Sequence, residues 1–308
     1  MEDYEVGLGS QLVCNVIDKK LGLLGHIVID STINGHSCGG LRMSPDVSIS
    51  ELQGLARVMT LKFSFLGINE GGAKAGIIAN PCMPREAKLA LLRTFAEIAS
   101  PLLKSHAYIP ASDMGTNNEE IKTMLESIGL RVPQNNVETG ENGEFYVALS
   151  VFAGAQAAAR YVGSDMAQST VAIEGFGKVG SSVAKVFSQR GTKVVAISTV
   201  KGAIYNPDGL DVPKLIQMKN EIGEDVVNVY EDAKKIGKSE LLTLDVEILS
   251  PCARHHSINL RNVEKIRALI ISAGANIPVT REAAEVLWRN GKLYLPDFVT
   301  SCGGILGS

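Results

Sequence analysis

Apolar residues recur along this chain with two different spacings, and each spacing predicts a different element. Ile49, Leu52, Leu55, Met59, Phe63 and Leu66 fall three or four apart, which puts them on one buried face of an amphipathic helix. Ser48 and Glu51 fit a capping box at its start, and Lys62 lies in its last turn at the edge of the apolar stripe. Ahead of this helix, His26 to Asp30 (HIVID) reads as a strand and Asn34 to Gly40 as a loop. Behind it, Glu70 to Gly76 (EGGAKAG) reads as a glycine-flanked loop, and Ala107 to Ile109 as a short strand. Thr116 with Glu119 makes a second capping box, opening a helix that turns Ile121, Met124, Leu125 and Ile128 inward and ends at Gly129.

A polar, turn-forming segment, NNVETGENG (Asn135 to Gly143), divides the chain near residue 140 into domains 1–140 and 141–308. A small-residue helix from Phe145 to Tyr161 follows, with Gly163 placed to stop it. From Thr170 onward strands alternate with helices: TVAIEG, a helix to Arg190, KVVAIS, a helix near Val212 to Lys219, VVNVY, VEIL, ALIIS, a helix from Arg281 to Asn290, and LYLP. Alternation at this spacing predicts an α/β chain whose second half is a parallel, doubly wound sheet.

Composition narrows the class. A length of 308 residues suits two domains, and 45% hydrophobic with 20% charged residues is ordinary for a packed globular protein. A net charge of -3 argues against affinity built on many nucleic-acid phosphate contacts. No stretch approaches the roughly 18 consecutive apolar residues of a membrane span, and the start, Met1 to Glu5, is acidic where a signal peptide is basic. Five scattered cysteines, an odd number without a C-x-x-C, read as reduced thiols in a cytoplasmic setting. Cys252 with His255 and His256 lacks the ligand pairs of a zinc site, so no metal is expected.

The most readable motif is Gly175-Phe176-Gly177-Lys178-Val179-Gly180, directly after the apolar strand Val171 to Ile173. The helix that follows presents Val179, Val183 and Val186 on one side. In a G-x-G-x-x-G the first glycine permits the tight turn, the second lets backbone approach a pyrophosphate, and the third packs helix on strand. With strand, turn and helix in order, this predicts dinucleotide binding. The acidic residue that would hold a ribose 2′-hydroxyl some 20 positions later is missing. The second strand ends Ser198-Thr199-Val200-Lys201, so Thr199 and Lys201 become candidates for a 2′-phosphate. Lys201 is equally read as a solvated turn residue, which leaves NAD and NADP both open.

The first half carries other chemistry. Lys62 reads either as a charge complementing the helix dipole or as a site residue, and Lys74 either as a surface cation or as a lysine whose flanking glycines let backbone pass close to a ligand. Two lysines brought together repel, and the more buried one would titrate low enough to act as a base. Asp113, between a strand and a helix, is by itself a turn former.

Together these elements resemble the glutamate/leucine/phenylalanine/valine dehydrogenase family. The resemblance runs from about Gly35 to Ser308 and rests on five stretches in the family's order: Gly39 to Lys62, Gly67 to Ile77, Ile109 to Thr116, Val171 to Gly180, and Ile271 to Thr280 with Leu295 to Gly304. It implies an N-terminal substrate and oligomerisation domain followed by a Rossmann-type NAD(P) domain, with the reaction in the cleft between them. It further implies that Lys62 holds the substrate α-carboxylate, that Lys74 is the base activating water, and that Asp113 shuttles a proton to and from the substrate nitrogen. Thr139 and Asn276 match positions near the cofactor, and Cys38, Gly40 and Ser308 match positions near the substrate. The implied reaction is reversible NAD(P)-dependent oxidative deamination of an L-amino acid to a 2-oxo acid and ammonia in a homo-oligomer, and the motif wording is closest to glutamate dehydrogenase.

The departures are specific. Cys38 stands where glutamate dehydrogenases carry a lysine for the distal carboxylate, and a small, weakly polar residue there favours an apolar substrate side chain. Lys178 and Ser301 each replace a common asparagine, the segment between Gly129 and Thr139 is short, and the chain stops at Ser308 where the family continues with helices. These features keep a second expectation in play: a non-catalytic relative that retains cofactor binding and oligomer contacts. A dehydrogenase of another substrate on the same plan, of the shikimate or one-carbon type, is disfavoured by the set Lys62, Lys74 and Asp113.

Overall fold

The computed structural model describes residues 9–131 and 143–307. The chain forms two compact units, Met1–Glu138 and Thr139–Ser308. None of the described helices is long and apolar enough to cross a membrane, and all five cysteines are free thiols.

Unit 1 is a five-stranded mixed sheet. Its strands are β1 (Leu12–Asp18), β2 (Leu23–Ile29), β3 (Ser37–Met43), β4 (Gly71–Ile77) and β5 (Ile109–Ser112), and they lie in the order β1-β2-β4-β3-β5. The pairs β1–β2 and β2–β4 are antiparallel, whereas β3–β4 and β3–β5 are parallel. Three helices complete the unit: α1 (Ile49–Leu66), α2 (Arg85–Lys104) and α3 (Asn118–Glu126).

Side-chain alternation sorts this sheet into two faces. Leu41, Met43, Ala73, Ala75 and Ile77 pack with Leu92, Phe95, Ala96 and Leu103 of α2 and Met124 of α3. On the other face Val28 packs with Leu52 and Ala56 of α1. Lys74 pairs in register with Val28 and therefore shares the α1 face. Helix α1 lies directly on β4, because a Cβ at Gly72 would overlap the Ala56 carbonyl and the Thr60 amide, and one at Gly76 would press on Val47 and Leu52.

Two stretches expected to be loops are strands. Asn34 to Gly40 runs into β3, which begins at Ser37, and all of the EGGAKAG stretch after Glu70 belongs to the wholly buried β4. Glycine and alanine carry little strand propensity, but small residues are what let α1 and the neighbouring strands close on β4. A Cβ at Gly39 would overlap the Ala73 carbonyl. The helix starts differ as well. Ser48 caps α1 by accepting from the Glu51 N–H, but Glu51 sends its carboxylate to Arg42 instead of closing the box. Helix α3 is capped one residue later than Thr116, by Asn117 and Glu120 in a complete box. Lys62 lies just before the last turn of α1 and is buried. The strand expected at Ala107 to Ile109 begins only at Ile109.

Unit 2 opens with α4 (Gly143–Tyr161), then β6 (Thr170–Glu174), α5 (Lys178–Gln189), β7 (Lys193–Thr199), β8 (Gly202–Tyr205), α6 (Val212–Ile222), α7 (Val226–Val229) and β9 (Lys234–Ile236). It continues with α8 (Lys238–Leu241), β10 (Ile248–Pro251), β11 (Ile270–Ser272), α9 (Arg281–Arg289), β12 (Leu293–Leu295), α10 (Asp297–Thr300) and α11 (Gly303–Leu306). The sheet order is β12-β11-β10-β6-β7-β8-β9. The first five strands in this order are parallel, and β8 and β9 extend the edge antiparallel. Separate apolar cores cover its two faces, one built on α4, α5 and α6 and the other on α8 and α9. The doubly wound reading therefore holds for the five parallel strands, and the antiparallel edge is an addition to it.

VVNVY, expected as a strand, is the short helix α7. Its β-branched residues favour extension, but Val226 and Val227 are both buried in the core against which the helix packs, and packing overrides propensity. The missed strand β8 is only four residues long and follows β7 through the two-residue turn Val200-Lys201.

Phe95 is fully buried between α2 and the sheet. Phe95→Ala should therefore cost about 3–5 kcal/mol in denaturant unfolding, whereas Tyr161→Ala, at a side chain 82% exposed, should change stability by less than about 0.5 kcal/mol.

Candidate active site

The α1 face of unit 1 gathers the charged residues. Strand β4 carries Lys74 at its middle, and β3 carries Cys38, Gly40 and Arg42 on the same face, in register with Gly72 and Gly76 of β4 and with Ile109 and Ala111 of β5. Asp113 follows β5 directly. The Lys74 ammonium lies 2.9 Å from the Asp113 carboxylate, and the same carboxylate oxygen accepts from Arg42 Nε at 3.0 Å. Arg42 then passes its other arm to Glu51 at 2.5 Å. Two cations and two carboxylates thus alternate across β4, the loop after β5, β3 and α1, with Lys74 only 5% exposed.

Small residues make this possible. A Cβ at Gly40 would stand 2.7 Å from Asp113 Cβ and 3.1 Å from Lys74 Nζ, so any side chain there would push the pair apart. The Asp113 loop is tied down by Thr116, whose hydroxyl accepts from the Asp113 N–H and donates to the Leu41 carbonyl. Thr116 is thus a positioning residue and not a helix cap. Gly115, at φ 78°, turns the same loop against the Met43 carbonyl, where no Cβ would fit. Burial by itself would raise the Asp113 carboxyl, but Lys74, Arg42 and the Met114 N–H together hold it well below the usual carboxylate range.

Of the residues expected here, Gly40, Lys74 and Asp113 are in contact, Cys38 shares their face, and Lys62 is buried on α1, the helix lying over β4. Lys74 faces the Asp113 carboxylate. Arg42 was missed. Its only signal was a charged residue inside the buried run Gly39–Met43.

In unit 2 the strand order reverses between β6 and β10, the switch point where ligands of doubly wound sheets bind at the carboxyl ends of the strands. Gly175 to Gly180 follows β6 there. Two of its three glycines are explained by the chain itself: Gly175 has φ 87° and would press a Cβ on Ala253, and a Cβ at Gly180 would overlap the Gly175 carbonyl. Gly177 differs, since a Cβ there would meet nothing within 4 Å. Gly177 is also the N-cap of the 12-residue α5, whose first turn holds no acidic residue. An open cradle above a helix N-terminus suits a pyrophosphate, so the residues present fit a dinucleotide.

Phe176 does not face that cradle; its ring is fully buried and its N–H donates to the Ser198 carbonyl at 2.6 Å. Val179 packs toward the core and against Gly274, whereas Lys178 is exposed. Thr199 is buried, donating to the Glu224 carbonyl and accepting from the Lys201 N–H, so its hydroxyl is already committed. Lys201 occupies the exposed β7–β8 turn, and Lys238 reaches the same turn through the Val200 carbonyl at 3.3 Å. Lys238 was not legible as a neighbour, because 37 residues separate it from Lys201. Asn276 follows β11 at the same carboxyl edge. Ser301 turns its hydroxyl onto the Asp297 carbonyl. Thr139 and Ser308 lie outside the described residues. Burial pushes the Cys252 thiol up to about 12, against hydrogen bonds from Ser250 and Gly274, and no group of metal-binding side chains occurs among the described residues.

A doubly wound sheet with an open glycine cradle at its switch point, preceded by a unit with a buried lysine–aspartate pair, suits a dinucleotide-dependent oxidoreductase. Comparison with known proteins is specific. Residues 13–129 match the Glu/Leu/Phe/Val dehydrogenase dimerisation domain, and residues 145–308 match the Glutamate/Leucine/Phenylalanine/Valine dehydrogenase domain. Glutamate dehydrogenase of Thermotoga maritima is 36% identical over 294 residues, 91% of this chain and 70% of that protein. The NADP-specific glutamate dehydrogenase of Saccharolobus shibatae is 34% identical, over 88% of this chain and 66% of that protein. A hetero-hexameric glutamate dehydrogenase from Thermus thermophilus, solved with leucine bound, superposes with TM-score 0.83 at 25% identity, covering 97% of this chain and 75% of that one. The chain belongs to the glutamate/leucine/phenylalanine/valine dehydrogenase family, and with it to the NAD(P)-dependent oxidoreductases that act on amino acids.

Two predictions follow from this geometry. Asp113 has its pKa depressed in the fold, so its pair stabilises the protein at neutral pH and that contribution is lost as pH falls below the ordinary aspartate value of about 4. Wild-type urea midpoints should drop more steeply than those of Asp113→Asn between roughly pH 4.5 and 2.5; parallel profiles would contradict this. At the fingerprint, Gly177→Ala should leave unfolding within about 1 kcal/mol of wild type while weakening NAD(P) binding in titration calorimetry. Gly180→Ala should cost about 2 kcal/mol or more through overpacking.

Proposed function

We propose that this protein catalyses the reversible NAD(P)-dependent oxidative deamination of an L-amino acid to a 2-oxo acid and ammonia. The observation that carries this reading is the Lys74–Asp113 pair, 2.9 Å apart on a sheet face that Gly40 leaves clear. Bound NAD(P) supplies the acceptor for the hydride leaving the substrate Cα. Everything else falls to this chain. Lys62 and its positive charge take the α-carboxylate. Lys74, released from Asp113 by the incoming substrate and giving its own proton to solvent as it is freed, then accepts a proton from the water that adds to the iminium carbon. Asp113 exchanges a proton with the nitrogen, so that it leaves as ammonia. Arg42 keeps Asp113 ionised and oriented between these transfers.

Strand β7 carries no carboxylate of its own at its end to hold a ribose 2′-hydroxyl, and two lysines, Lys201 and Lys238, flank the turn that follows. This favours NADP over NAD. The exposed apolar residues Leu12, Val13 and Ile17 on the edge strand β1, with Leu21 and Leu24 beside them, support assembly into a homo-oligomer. The free thiols accord with a cytoplasmic setting.

The test is a spectrophotometric scan of NADH and NADPH formation over a panel of L-amino acids, run also in the aminating direction. Lys74→Ala should lower kcat by at least about 100-fold, the scale of a lost general base, with cofactor affinity unchanged. Cofactor binding without turnover of any amino acid would favour the non-catalytic relative.

A further inference from the structure

We propose that Glu70 and Cys38 form the substrate's side-chain subsite, and that it selects an amino acid with a terminal amino group, such as ornithine or lysine, over one with a second carboxylate. This rests on the deamination reading above.

The direction of the side chain follows from what surrounds Lys74. Toward the Arg42 end the face is closed, because Arg42 is held by both Glu51 and Asp113, and Gly115 packs its loop on Met43. Toward the other end the face is floored by Gly40, Ala111 and Cys38. Cys38 is two residues from Gly40 on the same strand, about 7 Å along the sheet, the reach of an ornithine or lysine side chain from a reacting Cα beside Lys74.

Glu70 stands at that end. It immediately precedes β4, and its carboxylate lies near enough to Cys38, which pairs with Gly72 of β4, to act on the thiol. Its backbone is pinned: its N–H donates to the Ile68 carbonyl and the next N–H, of Gly71, to the His36 carbonyl. One oxygen of its carboxylate is buried and has no hydrogen-bond partner among the described residues. A buried acceptor left without a donor is costly, and a donor brought by the substrate would remove that cost. Burial, and then the Glu70 carboxylate, push the Cys38 thiol up to about 11 against the opposing effect of Lys74, so the thiol is neutral at physiological pH and adds no charge to the subsite. A second carboxylate placed there would meet Glu70, whereas an ammonium would pair with it.

The experiment measures kcat/KM of the full chain for L-ornithine, L-lysine, L-leucine, L-methionine and L-glutamate, with NADP and NAD, in wild type, Glu70→Gln, Glu70→Leu and Cys38→Lys. Wild type should prefer ornithine or lysine to glutamate by at least about tenfold, the size of one lost ion-pair contact. Glu70→Gln should reduce that preference by about tenfold, mainly through KM, and Glu70→Leu should shift it toward leucine and methionine. Cys38→Lys should raise the glutamate rate relative to the basic substrates. Glu70→Gln keeps the shape of the side chain and carries the test if Glu70→Leu fails to fold. Wild type preferring glutamate or leucine, with no change in Glu70→Gln, would overturn the inference and leave the deamination reading intact. No turnover of any amino acid, and no amination of any 2-oxo acid, would overturn both.

Discussion

The pairing of Lys74 with Asp113 is the interaction around which unit 1 is arranged. A lysine in the middle of a buried strand is costly unless its charge is met, and nothing on β4 itself can meet it, since its other residues are glycine, alanine and isoleucine. The carboxylate comes from the end of β5, two strands away, and reaches Lys74 across β3 only because Gly40 has no side chain. Gly39 and Gly40 divide the work: one lets the neighbouring strand close up, the other leaves room for the ion pair.

The pair is embedded in a longer alternation of charges. Arg42 touches both Asp113 and Glu51, which spreads one carboxylate's partners over two cations and brings α1 into the network. Glu51 gives up the reciprocal half of the α1 capping box to do this. A capping interaction is worth about 1 kcal/mol, less than the cost of leaving a buried guanidinium half-paired, so the site takes precedence over the helix end. Local rules broken in this way, with compensation nearby, mark functional sites.

Unit 2 shows the complementary case, in which space and not charge is the signal. Of its three fingerprint glycines, Gly175 and Gly180 are demanded by the chain's own close packing, and only Gly177 opens onto room for something else. The motif alone treats the three alike. The turn after β7 is similar: the hydroxyl of Thr199 goes to the backbone of Glu224, and Lys238 arrives from a distant segment to join Lys201.

Much of this protein was legible in its residues. The apolar stripe of α1, the alternation of strand and helix after Thr170, and the fingerprint after Val171 to Ile173 depend on local periodicity and turn chemistry, which a sequence displays directly. The resemblance motifs brought Lys62, Lys74 and Asp113 forward as a set. Other features depended on tertiary contact. The stretches bearing Cys38 and Lys74 became buried strands because neighbouring backbone, and not their own propensity, required small residues there. VVNVY became a helix because its valines face a core built by distant elements. Arg42 and Glu70 acquired meaning only once β3, β4 and β5 lay side by side. Sequence determines the period and chemistry of each segment; which charges meet, and which are left without a partner, is decided by strand order and register, because these set the distances between residues far apart in the chain.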